Sequence, residues 1–289
     1  MSDHQLLKIE MLNSKLKLWR TLTFLMVFLI LILSNYVDTS SVSNFLDNEY
    51  IAKVNIEGKI ETNEEMDKLL KKIAKDTHIK GLILNINSPG GAVTGSEILY
   101  QNIRNVSKYK PVVALLNDFA ASGGYMTAIA ADYIIARHTT ITGSIGVLMQ
   151  YFGIDQLAKK LGITLKSIKS SELKAATSPF EELTQEKEQS VRHIINDSYN
   201  YFVDIVAERR KMTKEQVLAI ADGSIYTGSE ALAIGLVDQI GGEDEALKWF
   251  SSQNVKTQKI NTLPIREHKS VLGNINSLIS QLVYYYISK

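Results

Sequence analysis

From Thr21 to Val37 the sequence TLTFLMVFLILILSNYV carries no charge, and Phe24 to Leu33 is apolar without a break. With Leu18 and Trp19 the run approaches the roughly 20 residues that a helix needs to cross a bilayer. It is apolar on every face, unlike a helix at the surface of a soluble domain. From Tyr50 onward the pattern changes. YIAKVNIEG alternates imperfectly through Ile51, Val54 and Ile56 and reads as a strand ending at Gly58. NEEMDKLLKKIAKD follows with Met66, Leu69, Leu70 and Ile73 at helical spacing. The run GLILNI predicts a strand, residues 95–106 a helix, PVVALLN a strand, 122–131 a helix and YIIA another strand. Residues 184–210 give the longest helix, with Val191, Ile194, Ile195, Phe202, Ile205 and Val206 on or near one face. SIYTGSEALAIGLVDQIGG adds a short strand, a small helix and a turn closed by glycine. Such repetition of strand and helix predicts a layered α/β domain with a largely buried sheet, over residues 49–263. Residues 264–289 form a weakly patterned tail with amphipathic character and no assigned role.

Charge orients the apolar run. Lys15, Lys17 and Arg20 precede it, and Asp38 and Asp47 follow. The positive-inside bias places residues 1–17 in the cytoplasm, makes 18–37 a signal anchor and puts the bulk of the chain outside the cytoplasmic membrane. LILSNYVDTSS offers no clear small-x-small cleavage site, which favours an uncleaved anchor over a signal peptide. Residues 38–48 are polar and serine-rich, a short linker. The 289 residues are 45% hydrophobic, ample for a core, and the formal net charge is +1. With no basic tract, nucleic acid is not an expected partner. No cysteine is present, which excludes disulfides, thiolate catalysis and Cys-based metal sites.

Two glycine-containing loops follow expected strands. In NINSPGGAVTGS, residues 85–96, Pro89 fixes one backbone angle, and Gly90 and Gly91 open conformations closed to other residues. Such a turn can aim amide hydrogens into a cleft, as an oxyanion requires; the plainer reading is a strand-to-helix turn. In NDFAASGGYMTAIAAD, Ser122 stands among Ala120, Ala121, Gly123 and Gly124, where strand gives way to helix. Small neighbours fit either a close packing contact or a nucleophile that a substrate approaches closely. A nucleophilic serine needs a base. Of five histidines only His138 falls near the loop, and no convincing orienting carboxylate or amide accompanies it. Lysine is the other option, provided that burial or a nearby cation lowers a pKa that is ordinarily about 10.4. LKSIKSSELKAATSPF offers Lys166, Lys169 and Lys174, and spacing alone does not choose among them.

NSPGG, AASGGYMTAIAAD, TITGSIGV and KSSELKAATSPF, in this order and spacing, resemble the signal peptide peptidase A family (protease IV) in its short form. That form has a single catalytic domain behind an N-terminal anchor, and the likeness runs from about residue 50 to 247. It implies a Clp-protease- and crotonase-like fold, a spiral of ββα units. It also implies Ser122 as nucleophile, Lys174 as general base, Gly91 and Gly123 as backbone oxyanion donors and Ser144 as orienter of the lysine. Short members assemble into rings in which serine and lysine come from neighbouring protomers. The activity implied is hydrolysis of cleaved signal peptides and other apolar peptides at the outer face of the membrane, with no metal or organic cofactor. Two positions depart from the family pattern: Asn85 stands where many relatives carry Arg, and RHTT, residues 137–140, replaces an Asn-Pro-Gly type turn. The rival readings are a crotonase-like acyl-CoA enzyme and an inactive membrane scaffold.

Overall fold

The computed structural model describes residues 15–17, 19–27 and 49–265. It divides into two units, with the second beginning at Glu49. In the first, residues 15–17 and 19–27 are helical, and Trp19, Phe24, Leu25 and Met26 are exposed. Among the described residues no helix is long and apolar enough to cross a membrane. Residue 18 and residues 28–37 of the expected anchor lie outside the described residues, as do the linker 38–48 and most of the tail.

The second unit is a mixed α/β layer structure. Strand β1 (Tyr50–Ile60) leads to helix α1 (Glu64–Lys75), β2 (Ile79–Gly91), α2 (Val93–Ser107), β3 (Val112–Ala121) and α3 (Gly123–Ala128). Then come β4 (Tyr133–Ala136), β5 (Ile141–Gly143), α4 (Asp155–Lys160) and the long α5 (Gln185–Arg210). The chain closes through α6 (Lys214–Leu218), β6 (Ile225–Thr227), α7 (Gly228–Ala233), β7 (Gln239–Ile240), α8 (Glu243–Ser252) and β8 (Ile260–Thr262). Central strands β1, β2 and β3 are parallel, and the sheet runs β6-β5-β3-β2-β1-β8. β3 changes partner midway. Val113–Leu116 pair with β4, whereas Phe119–Ala121 pair with β5, so the sheet forks at Asn117 and Asp118.

The apolar runs of β2 and β3 are nearly continuous because both faces of the sheet are covered. Leu82, Leu84 and Ile86 join one core with α1, α2 and α5, while Ile83 and Val113 face the other way onto Phe250 and Ala246 of α8. In α1 the expected stripe packs as Met66, Leu70 and Ile73, and Asn63 caps the helix through the amides of Glu65 and Met66. Two boundaries differ from the sequence reading for one reason. β1 passes through Gly58, which takes φ +67° at a register shift, and β2 passes through the Pro-Gly-Gly stretch to Gly91. Pairing between β1 and β2 continues across glycines that local pattern takes as stops. The helix after Ser122 is shorter than expected and ends at Ala128.

Candidate active site

Ser122 stands at the junction of β3 and α3 with φ 53° and ψ −121°. A serine in that region is strained, and such strain persists only where surrounding structure imposes it. Here the surroundings are tight. From Ala120 to Ala131 every residue is buried except Ser122. Its N–H donates to Gly143 O at 2.9 Å, and its carbonyl accepts from the Met126 N–H at 2.9 Å.

The end of β2 lies directly against this junction. Gly90 has φ +103°, and a Cβ there would stand 2.7 Å from Gly123 N and 2.9 Å from Ala121 O. A Cβ on Gly91 would stand 2.0 Å from Ile60 O, and one on Gly123 would stand 3.2 Å from Gly91 N. The backbone amides of Gly91 and Gly123 are therefore neighbours beside Ser122. The small residues serve this close approach: a Cβ on Gly124 would meet Ser88 O at 2.6 Å.

Two serines that the sequence reading did not single out complete the junction. Ser88, fully buried, donates to Gly58 O at 2.6 Å and accepts from the Gly90 N–H at 3.1 Å, tying the loop to the β1 bulge. Ser96, also fully buried, donates to Ala92 O and fills the space behind Gly123. Both lie inside the quoted loop, but nothing in local pattern distinguishes a structural hydroxyl from a solvated one.

Ser144 follows Gly143, the residue paired with Ala121, so Ser122 and Ser144 follow paired residues on adjacent strands. Both take left-handed φ, 53° and 50°, and the Ser144 N–H donates to Ser224 O at 2.7 Å. Lys174 is placed elsewhere. It lies exposed in a turn between α4 and α5, with its N–H donating to Ser171 O at 3.1 Å. Among the described residues its amine makes no hydrogen bond or ion pair, and none links it to Ser122 or Ser144. Lys169 is engaged with Glu181. Lys166 is as free as Lys174, so a single chain separates Lys169 from the other two and no further. His138 turns away, its Nδ1 lying 3.0 Å from Ser229 Oγ at the surface.

The model of peptidase family S49 matches residues 104–257, more than half of the chain. The chain belongs to peptidase family S49. Within this family it is 42% identical over 209 residues to a putative protease of Methanocaldococcus jannaschii, covering 71% of this chain and 66% of that one. It is 32% identical to a putative signal peptide peptidase SppA of Enterococcus faecium, covering 82% of this chain and 72% of that one. Among solved structures, a mutant of the 1510-N membrane-bound stomatin-specific protease is 18% identical with TM-score 0.49, covering 75% of this chain and 98% of that one.

Asn85 of this S49 chain lies in a row of side-chain amides across the sheet. Asn85 Nδ2 donates to Asn55 Oδ1 at 3.1 Å, and Asn117 Nδ2 donates to Asn85 Oδ1 at 2.9 Å. Three amides on β1, β2 and β3 form a row that occupies the position with neutral partners. In the turn 137–140 Arg137 is exposed, while Thr140 caps the turn through its hydroxyl, which accepts from the Arg137 N–H at 2.9 Å.

Proposed function

We propose that this S49 chain is a serine endopeptidase with a Ser122–Lys174 dyad, anchored in the cytoplasmic membrane by residues 18–37 with its catalytic domain outside. Its substrates are cleaved signal peptides and other apolar peptides. In a Clp-like ring, Lys174 of one protomer serves Ser122 of the next. The observation that carries this reading is the junction at Ser122: a strained, singly unburied serine beside two adjacent glycine amides.

The steps follow from that arrangement. A neutral Lys174 amine takes the Ser122 Oγ proton as Oγ attacks a peptide carbonyl carbon. The Gly91 and Gly123 amides receive the developing oxyanion, each donating one hydrogen bond that strengthens as charge builds. The amine product leaves with the proton held by Lys174. Water then gives a proton to Lys174 as its oxygen bonds to the acyl carbon, and the ester bond breaks with Ser122 Oγ taking that proton back from Lys174, which frees the acid product. Ser144, one residue past the β5 strand that pairs with β3, orients the incoming lysine. Covering an exposed amine with a second copy removes it from water, the condition under which an ammonium gives up its proton. The exposed side chains of Leu148, Phe152, Leu157 and Leu161, which precede the lysine segment, and of Ile168 within it supply apolar surface for that cover.

Peptide hydrolysis by the full chain in vesicles tests the dyad. Ser122→Ala and Lys174→Ala should each lower kcat by at least roughly a thousandfold. Near wild-type turnover in either variant would sink the assignment. Mixing the two inactive variants should recover part of the activity if subunits exchange and the dyad is shared. An acyl-CoA enzyme would instead turn over CoA thioesters, and a scaffold would leave Ser122 unlabelled by a serine-reactive probe.

A further inference from the structure

We propose that Glu181, gripped by Lys169 and Lys187, is the latch that holds the Lys174 loop in its working position. Glu181 is thus a positioning residue for the reaction above, and the inference rests on that reading of Lys174.

Nothing apolar holds this part of the chain. From Gly146 to Glu186 no residue is buried, and the helix α4 within it buries no side chain. The first buried residue is Lys187, in the first turn of α5, only 5% exposed. Its Nζ donates to Glu181 Oε2 at 2.8 Å and to Glu182 O at 3.4 Å. The same carboxylate oxygen accepts from Lys169. Lys169 and Glu181 are the two ends of the segment 170–180, so their ion pair closes a loop with Lys174 near its middle. Lys187 then fixes that closed loop to α5.

Hydrogen bonds to backbone carbonyls complete the frame. Tyr151 OH donates to Glu181 O at 2.8 Å, and the Ile154 N–H donates to Pro179 O at 2.7 Å. Inside the loop the Lys174 and Ser178 amides close turns onto Ser171 O and Ala175 O, and Ala175 takes φ 62°. An ammonium as buried as Lys187 is costly without a counter-ion. Loss of the Glu181 charge would leave two cations facing each other, and both would move apart. The loop's ends would part with them. Consistent with this grip, hydrogen bonds from Lys169 and then Lys187 pull the Glu181 carboxyl down to about 2, so it stays ionised throughout the working pH range. Glu172 and Tyr151 are the other titratable groups acting on Lys187.

The test uses the full chain and the same apolar peptide. Glu181→Gln should lower kcat roughly 10- to 100-fold, the cost of a displaced catalytic group, while KM stays within about twofold. Tm should move by less than about 2 °C, because the loop lies outside the core. Glu181→Asp should recover part of the loss. Adding Lys169→Gln to Glu181→Gln should cost little more, since both changes open one contact. A Glu181→Gln enzyme with kcat within about twofold of wild type would overturn the latch. So would a kcat loss that follows a fall in Tm and disappears on cooling. Ser122→Ala and Lys174→Ala serve as controls: if either remains active the dyad falls, and the latch with it. If both are inactive and Glu181→Gln is fully active, the latch alone falls.

Discussion

Ser122 is the single unburied residue between Ala120 and Ala131, whereas Lys174 sits in a stretch where nothing is buried from Gly146 to Glu186. The serine's backbone is over-determined by its own chain: two strands, a glycine loop and buried hydroxyls fix it. The lysine's segment is held by a few polar ties and a cluster of three charges. Dense packing forbids small displacements, while polar ties on an unpacked arm permit them. One part of the proposed site is thus fixed by the packing of its own chain, and the other rests on the proposed latch.

The strongest way to break this contrast is to damage the rigid half. Gly91→Ala would set a methyl 2.0 Å from Ile60 O, a backbone atom with nowhere to go. Activity should fall by roughly 100-fold or more as the amide at 91 moves, and Tm should drop with it. An active, fully stable alanine variant would show that the junction is looser than its contacts imply. The exposed arm should behave in the opposite way. Phe152→Ser with Ile168→Ser should leave Tm within about 2 °C of wild type, since neither side chain is in the core. The same pair should reduce the oligomer seen by light scattering and make activity depend on protein concentration. An unchanged particle size would separate the arm from assembly.

Smaller effects sharpen the comparison. Ser88→Ala strips the Gly90 amide of its acceptor in a buried site and should cost about 1–3 kcal/mol in denaturant unfolding. At the latch the effect is one of pH. Glu181 has its pKa lowered from an ordinary 4.5 to about 2, so its contribution is complete above pH 4.5 and is lost as pH falls from there toward 2. Protection of the Ile154 amide, taken relative to the intrinsic exchange rate at each pH, should hold steady above that window and fall within it. The Glu181→Gln variant should lose that dependence, and a wild-type amide indifferent to pH would detach the latch from the arm.

The sequence made the sheet and its major helices readable because GLILNI, PVVALLN and the stripes of α1 and α5 have strong periods. It could not reveal that β2 continues through Pro-Gly-Gly, since that extension depends on pairing with β1 beyond Gly58, a contact distant in the chain. Short strands such as β5 and β8 have three residues each, too few for any period. At the site, Ser122 and the glycine amides were legible from small residues at strand ends, with roles supplied by resemblance. Lys174 is singled out by resemblance alone, and among the described residues it is exposed and its amine has no partner. Glu181 was invisible because its partners, Lys169 and Lys187, lie on either side in sequence with no motif to join them.

The row of Asn55, Asn85 and Asn117 bears on how the chain finds this structure at all. Around it, GLILNI and VVALLN are runs of similar apolar residues, and sliding one past the other would bury almost the same surface. Packing energy alone discriminates poorly among such slipped alignments. An amide row does not, because each carboxamide meets the next in a single alignment and is left stranded in every other. Asn55 faces Asn85 in that register, and Asn117 closes the row from the third strand. In the folded chain these three side chains mark one alignment of the strands whose far ends carry Gly91 and Ser122.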